Sequence, residues 1–302
     1  MPAPLRIGTR GSPLALWQAD HVAGLIRAAH GIETEIVPIR TSGDRIQDRA
    51  LAEVGGKALW TKELDRALIE GEIDLAVHSM KDVETMRPAE MVIAAMPPRA
   101  DVRDRLVGAE SLAALPANPR VGTASPRRAA QVRRARPDAQ TILFRGNVDT
   151  RLRKLAEGEA DATLLAAAGL DRLGRSDVGV TMPIELMLPA PAQGAIGIET
   201  LTANDRVRAL LDAIDHAPTS RCVRAERAFL EALAADCHSP VAALALAEGD
   251  FILLRAEILS EDGSEHEVGE VHFASADADA PGRLADSLLM RASPTLRRLF
   301  DA

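Results

Sequence analysis

Aromatic residues are almost missing from this 302-residue chain, in which two Trp, five Phe and no Tyr amount to 2%. With hydrophobic residues still at 47%, the interior has to be aliphatic, which favours helix-rich α/β layers over an aromatic-centred β-sandwich. Cysteine is scarce as well. Two thiols make no disulfide framework, and the fourteen residues between Cys222 and Cys237 match no zinc pattern. No apolar run is long enough to span a bilayer, and the opening MPAPLRIGTR lacks the basic-then-apolar order of a secretory signal. The expected setting is therefore the cytoplasm, with no membrane partner, and the length favours two or three domains.

Positive charge is also in deficit, with 36 Lys and Arg against 44 Asp and Glu for a formal net charge of −8. That balance argues against a nucleic-acid partner, as does the lack of aromatics for base stacking. The deficit is uneven, however. Residues 120–155 hold ten basic residues and only two acidic ones, +8 in all, which leaves −16 for the remainder. Such an island fits a local polyanion site, and it equally fits a solvated helix face.

What is present is a repeat. LRIGTRGSPLALWQA (5–19) and RVGTASPRRAAQV (120–132) each run from an apolar stretch through Gly-Thr to Ser-Pro and a helical pattern. Ser12 and Ser125 suit the helix N-cap, and Pro13 and Pro126 suit the first helical position. LIEGEIDLAVHSM (68–80) and LAEGEADATLLAA (155–167) repeat a second layout of helix end, Gly-Glu-x-Asp and strand. Each half thus predicts the strand–helix alternation of a parallel sheet. Two halves face to face would form a cleft, with helix N-termini at Ser12 and Ser125, beside Arg10, Arg127 and Arg128, offered to an anion. The first half is longer by about 26 residues, an excess that falls in 40–60 and reads as a lid. AIGI, within 187–200, is placed to return the chain to the first sheet.

After Pro218 a third unit opens with a helix whose Cys222, Ala225, Phe229 and Leu233 share one face, which makes Cys222 a core residue. A loop carrying Cys237, three strand-like runs and a last helix ending near Phe300 follow. The expected domains are 1–97 plus 195–213 with a lid at 42–60, then 101–190, then a small α+β domain of antiparallel sheet and helices at 217–302.

Two segments carry candidate chemistry. IDLAVHSMKDV sets His78, Lys81 and Asp82 at the end of an apolar strand, where ligands bind in open α/β sheets. Lys81 and Asp82 suit either cation stabilisation and proton exchange or a plain loop ion pair. AADCHSP leaves Cys237 open as nucleophile, metal ligand or attachment point. Sequence neighbours often point apart, so His238 alone does not make a Cys-His dyad.

Taken together, IGTRGSPLALWQ, EVGGKALWTKEL, DLAVHSMKDV, VGTASPRR, LFRGNVDTRL, AAAGLDRLG, LPAPAQGAIGIE and AERAFLEALAADCHSPVA resemble, in that order, the porphobilinogen deaminase (hydroxymethylbilane synthase) family across nearly the whole chain. The resemblance implies two similar α/β domains like those of periplasmic binding proteins, plus the small third domain. It implies a cytoplasmic, monomeric transferase of porphyrin and haem biosynthesis that joins four porphobilinogen molecules head to tail, releases ammonia and hydrolyses off hydroxymethylbilane. The chain grows on a covalent dipyrromethane cofactor, for which Cys237 is the matching thioether residue, and no metal is implied. Asp82 matches the catalytic carboxylate. Lys81, Asp82, Ser125, Arg127, Arg128 and Arg145 match cofactor-binding positions, and Arg10, Ser12, Arg145, Arg151 and Arg172 match substrate-binding ones. Lys57 and Trp60 match lid positions, while Arg133, Arg134 and Arg136 read as surface charge. Ala235-Asp236 stand where the family commonly has Gly-Gly. A non-catalytic two-domain anion-binding protein is the rival reading, and it leaves Asp82 and Cys237 without a task.

Overall fold

A computed structural model describes residues 3–41 and 61–300. Lys57, Trp60 and the expected lid lie outside the described residues. The chain divides into two compact units.

The first unit is built on a five-stranded sheet of β1 (Leu5–Arg10), β2 (Thr34–Ile39), β3 (Leu75–Ser79), β4 (Met91–Ala95) and β10 (Ile196–Leu201). The strand order is β2-β1-β3-β10-β4. Strands β1, β2 and β3 are parallel, whereas β10 runs antiparallel to both β3 and β4. The AIGI run therefore does return to the first sheet. Helices α1 (Pro13–His30), α2 (Lys62–Ile69) and α6 (Asp205–Asp212) accompany it. Ile7, Val22, Ile26, Leu75, Ile198 and Leu211 form a core that β1, β3, β10, α1 and α6 share.

The second unit repeats the plan with β5 (Asp104–Val107), β6 (Arg120–Thr123), β7 (Gln140–Leu143), β8 (Ala162–Ala166) and β9 (Val180–Thr181) in the order β7-β6-β8-β5-β9. Here β5 takes the antiparallel place between β8 and β9. The parallel sheet that the alternation predicts is present in both halves but mixed with one antiparallel strand: the fourth position belongs to a strand that arrives from outside the local strand–helix series. Helices α3 (Pro126–Ala135), α4 (Val148–Ala156) and α5 (Ala167–Arg172) connect these strands.

The same unit holds a three-stranded antiparallel sheet of β11 (Val241–Glu248), β12 (Phe251–Leu259) and β13 (His266–Ala274). Helices α7 (Ala217–Ala232) and α8 (Ala280–Arg291) and the short α9 (Pro294–Arg297) complete the fold. Cys222, Ala225, Phe229 and Leu233 are buried in one cluster with Ile258 and Leu288, so Cys222 is a core residue.

Local chemistry explains both duplicated starts. Ser12 caps α1 by accepting from the Ala15 amide at 3.3 Å, and Ser125 caps α3 by accepting from the Arg128 amide at 3.4 Å, each with Pro following. The Gly before each Thr serves close packing. A Cβ on Gly8 would lie 2.2 Å from Ile73 Cδ1, and one on Gly122 would lie 2.4 Å from the Phe144 ring. Helix α1 ends on Gly31 at φ 65, whose amide donates to the Arg27 carbonyl.

Candidate active site

In the first unit, β1 and α1 bring Arg10 and Ser12 to a small pocket of about 70 Å³, and β3 and the single 3-10 turn after it (Met80–Asp82) bring His78, Ser79 and Asp82 to the same pocket. Gln18, fully buried on α1, also lines it and donates to Ser79 Oγ at 3.0 Å. A carboxylate and a guanidinium thus share one pocket with the N-terminus of an 18-residue helix. The arrangement suits a ligand that carries both a carboxylate and a cationic or N–H-bearing ring.

Behind this pocket lies a polar cluster that sequence reasoning did not find. His78 Nε2 sits 3.0 Å from Glu199 Oε2, and Glu199 on β10 is fully buried. Arg87 donates to both Glu199 oxygens at 2.8 and 3.0 Å, to Asp65 Oδ1 at 2.5 Å and to Glu84 Oε2 at 2.7 Å. Burial alone would push the Glu199 carboxyl up, but the bonds from His78 and Arg87 outweigh it and hold the group down at about 2. Opposite an ionised carboxylate, the His78 ring nitrogen is the donor. For Asp65, desolvation outweighs Arg87 and its carboxyl is raised. The available hint was a glutamate inside an apolar strand run, IGIE.

In the second unit, α3 carries Ser125, Arg127 and Arg128. Both arginines are buried, at 2% and 4% exposure, so neither is a freely solvated helix charge. Arg127 Nη2 donates to Asp104 Oδ2 at 2.8 Å and its Nη1 to Gln131 Oε1 and the Leu188 carbonyl, at 2.9 and 2.8 Å. Arg128 donates to Asp104 Oδ1 at 2.6 Å and to the Leu164 carbonyl at 2.9 Å. Burial works against ionisation of Asp104, and Arg127 and Arg128 overcome it, holding its carboxyl well below the usual carboxylate range. Desolvation lowers Arg127. Arg145 is buried just before Gly146, and Arg151 on α4 donates from Nε to the Gly146 carbonyl at 3.0 Å. Arg172 ends α5, and burial pulls its guanidinium down to about 10.

Arg133, Arg134 and Arg136 are half-buried and bonded rather than loose surface charge, which corrects the reading made from position alone. Arg133 donates to the Glu261 carbonyl, Arg134 pairs with buried Glu257, and Arg136 binds Asp138 and the carbonyls of Leu112 and Pro116. Together with the 2.7 Å bond from Gln131 to Glu257, the contacts of Arg133 and Arg134 seat α3 on the third sheet and on the turn that follows β12. Cys237 lies beyond α7 in an exposed loop of this unit, next to Asp236 and His238.

Family models match in two parts. "Porphobilinogen deaminase, dipyromethane cofactor binding domain" covers residues 5–209, and "Porphobilinogen deaminase, C-terminal domain" covers 220–289. The chain belongs to the porphobilinogen deaminase family. The porphobilinogen deaminase of Sphingopyxis alaskensis is 60% identical over 98% of this chain and 96% of its own length. That of Paracoccus denitrificans is 49% identical over 96% and 95%. Among solved structures, immunogenic lipoprotein A of Vibrio vulnificus is similar at a TM-score of 0.44 and 12% identity over 72% of this chain and 96% of that one, a likeness too slight to argue from. Family membership makes the chain a transferase of tetrapyrrole biosynthesis, a hydroxymethylbilane synthase acting on porphobilinogen with a dipyrromethane cofactor. Among the described residues no helix is long and apolar enough to cross a membrane.

Proposed function

We propose that Asp82 is the catalytic carboxylate of the family reaction, that Arg10 and Ser12 receive substrate carboxylates beside it, and that Cys237 anchors the cofactor. The observation that carries the reading is the pocket that gathers Arg10, Ser12 and Asp82. Porphobilinogen presents an acetate, a propionate, a pyrrole N–H and a carbon that becomes cationic when ammonia leaves. The guanidinium and the helix start suit the carboxylates, and Asp82 suits the N–H and the cation. A carboxylate there stabilises positive charge as it develops and takes the ring proton that must depart after the new carbon–carbon bond forms. Gln18 and Ser79, bonded to each other, give that pocket a fixed polar wall.

Two observations support the fit of dipyrromethane to the second unit. The Nε atoms of Arg127 and Arg128 are buried and, among the described residues, without a hydrogen-bond partner, so these cations retain donors beyond those given to Asp104. The Cys237 thiol is exposed, as attachment requires. When bound, the cofactor supplies the pyrrole carbon from which the product chain is extended. Ser125, Arg127, Arg128, Arg145 and Lys81 are assigned to its carboxylates, with Asp82 at its pyrrole nitrogens. Arg145, Arg151 and Arg172, with Arg10 and Ser12, are assigned to those of the incoming substrate and growing product. Arginine suits this task because it stays charged and binds carboxylates two bonds at a time. The working form is assigned as a cytoplasmic monomer that binds no nucleic acid, a reading supported by the acidic balance and the few aromatics.

Intact-protein mass spectrometry tests the scheme. The wild-type chain is expected to carry a covalent dipyrromethane adduct that is absent from Cys237→Ser. A folded wild-type chain without any adduct, after exposure to porphobilinogen, refutes the anchor and favours simple anion binding.

A further inference from the structure

We infer that His238 is the base that frees the Cys237 thiol for cofactor attachment, with Asp236 steadying the imidazolium that results. The inference rests on the reading of Cys237 as the anchor. Residues adjacent in sequence often diverge, yet here the Asp236 carboxylate, Cys237 Sγ and a His238 ring nitrogen all lie within 4.8 Å of one another.

The local chain accounts for the convergence. After α7, Ala234 takes a left-handed φ of 50, and the Ala235 amide returns to the Leu230 carbonyl at 2.9 Å. Three further bonds then close residues 236–239 into a turn. The Ser239 amide donates to the Asp236 carbonyl at 3.1 Å, the Asp236 amide to Ser239 Oγ at 3.2 Å, and the His238 amide to Asp236 Oδ1 at 2.8 Å. The turn fixes the Asp236 carboxylate and sets Cys237 and His238 beside it, with Asp236 and Cys237 exposed to an incoming substrate.

Charge decides the division of labour. The thiolate is the nucleophile, and a carboxylate beside a thiol disfavours it by like-charge repulsion. Asp236 by itself would therefore slow attachment. A neighbouring imidazole that accepts the thiol proton reverses this, because the new cation then sits beside two anions rather than leaving them to repel. The established activity supplies the electrophile as a hydroxymethylpyrrole. Sγ bonds to its methylene carbon while the carbon–oxygen bond breaks. The proton taken by His238 passes to the departing hydroxyl, and water leaves, so that thiol plus alcohol becomes thioether plus water with no oxidant or reductant. A thioether has no proton to give, and the pair acts once per chain.

The test uses the full chain produced without a supply of porphobilinogen, mixed with excess hydroxymethylbilane in the presence of a chelator, and followed by intact mass and peptide mapping. His238→Gln is expected to gain the adduct on Cys237 on the order of 10²-fold more slowly than wild type, the size of a modest general-base contribution. Added imidazole is expected to restore a good part of the rate to His238→Gly, which a loop merely repacked by mutation would not show. Asp236→Asn is expected to load several-fold more slowly, the size of one exposed ion pair. Equal loading of wild type and His238→Gln, or no response of His238→Gly to imidazole, overturns the role of His238, and faster loading of Asp236→Asn overturns that of Asp236. If wild type gains no adduct at Cys237, the anchor reading itself fails, an outcome distinct from these.

Discussion

Replacing Asp104 by Asn puts the charge balance of the arginine helix to the test. Asp104 is fully buried and accepts from Arg127 at 2.8 Å, from Arg128 at 2.6 Å and from Gln193 at 2.9 Å. With the carboxylate present, the buried trio carries one net positive charge, and with Asn it carries two. Asn also keeps a single acceptor oxygen where three donors converge. Removing one partner of a buried ion pair costs about 3–5 kcal/mol, because the remaining charge stays desolvated and unpaired. At roughly 2–4 °C per kcal/mol for a cooperative unit of this size, melting should fall by at least about 6 °C. Calorimetry and urea titration of the two chains, both prepared without porphobilinogen so that cofactor binding does not enter, measure the gap at pH 7. The pH dependence has a definite sign. The folded-state pKa of Asp104 is lowered, so its stabilising contribution is full above the unfolded carboxylate pKa and is lost as pH falls toward the folded value. The gap between wild type and Asp104→Asn should therefore hold between pH 5 and 8 and shrink below about pH 4. A gap under about 1 kcal/mol at pH 7 would mean that Arg127 and Arg128 do not depend on this carboxylate, and the account of the helix would be wrong.

Asp82→Asn should still acquire the adduct on Cys237 but lose on the order of 10²–10⁴-fold in turnover, the range of general acid–base contributions, and a loaded variant with near-normal rates removes Asp82 from the chemistry. Glu199, held at about 2 by His78 and Arg87 against the pull of burial, contributes stability that is present above the unfolded glutamate pKa and lost as pH falls through the folded one. In urea titrations from pH 6 down to pH 2, wild type should lose stability that Glu199→Gln does not, and parallel curves would contradict the ion cluster behind His78. Gly122→Ala drives a methyl against the buried Phe144 ring and should cost about 1–3 kcal/mol. Gly8→Ala meets the ends of two aliphatic side chains, Ile73 Cδ1 at 2.2 Å and Leu64 Cδ2 at 3.2 Å, which can turn aside where a ring cannot, and it should cost less, so a reversed order in thermal melts counts against this view of the Gly-Thr repeat.

The features that could be read from the sequence are those whose physics is local. Ser12-Pro13 and Ser125-Pro126 announce helix starts because a cap is made within three residues, and both are in place. What stayed hidden depends on residues far apart in the chain. The AIGI run is placed to return to the first sheet, but its antiparallel direction there, like the insertion of β5 between β8 and β9 in the second, is encoded by no local strand–helix alternation. Asp104 and Glu199 are charges inside buried strands, and their meaning appears only when Arg127, 23 residues away, or His78, 121 residues away, is folded against them. Arg133, Arg134 and Arg136 looked like solvated charge for the same reason, since their acceptors come from loops and from β12. The loop before Cys237 is the instructive intermediate case. Two non-glycine residues stand where the family commonly has Gly-Gly, which raises the question of backbone strain. The only left-handed non-glycine residue of that loop among the described residues is Ala234, one position earlier. Ala235 and Asp236 thus adopt angles open to any residue, and the side chain gained at position 236 supplies the carboxylate whose Oδ1 closes the turn on the His238 amide.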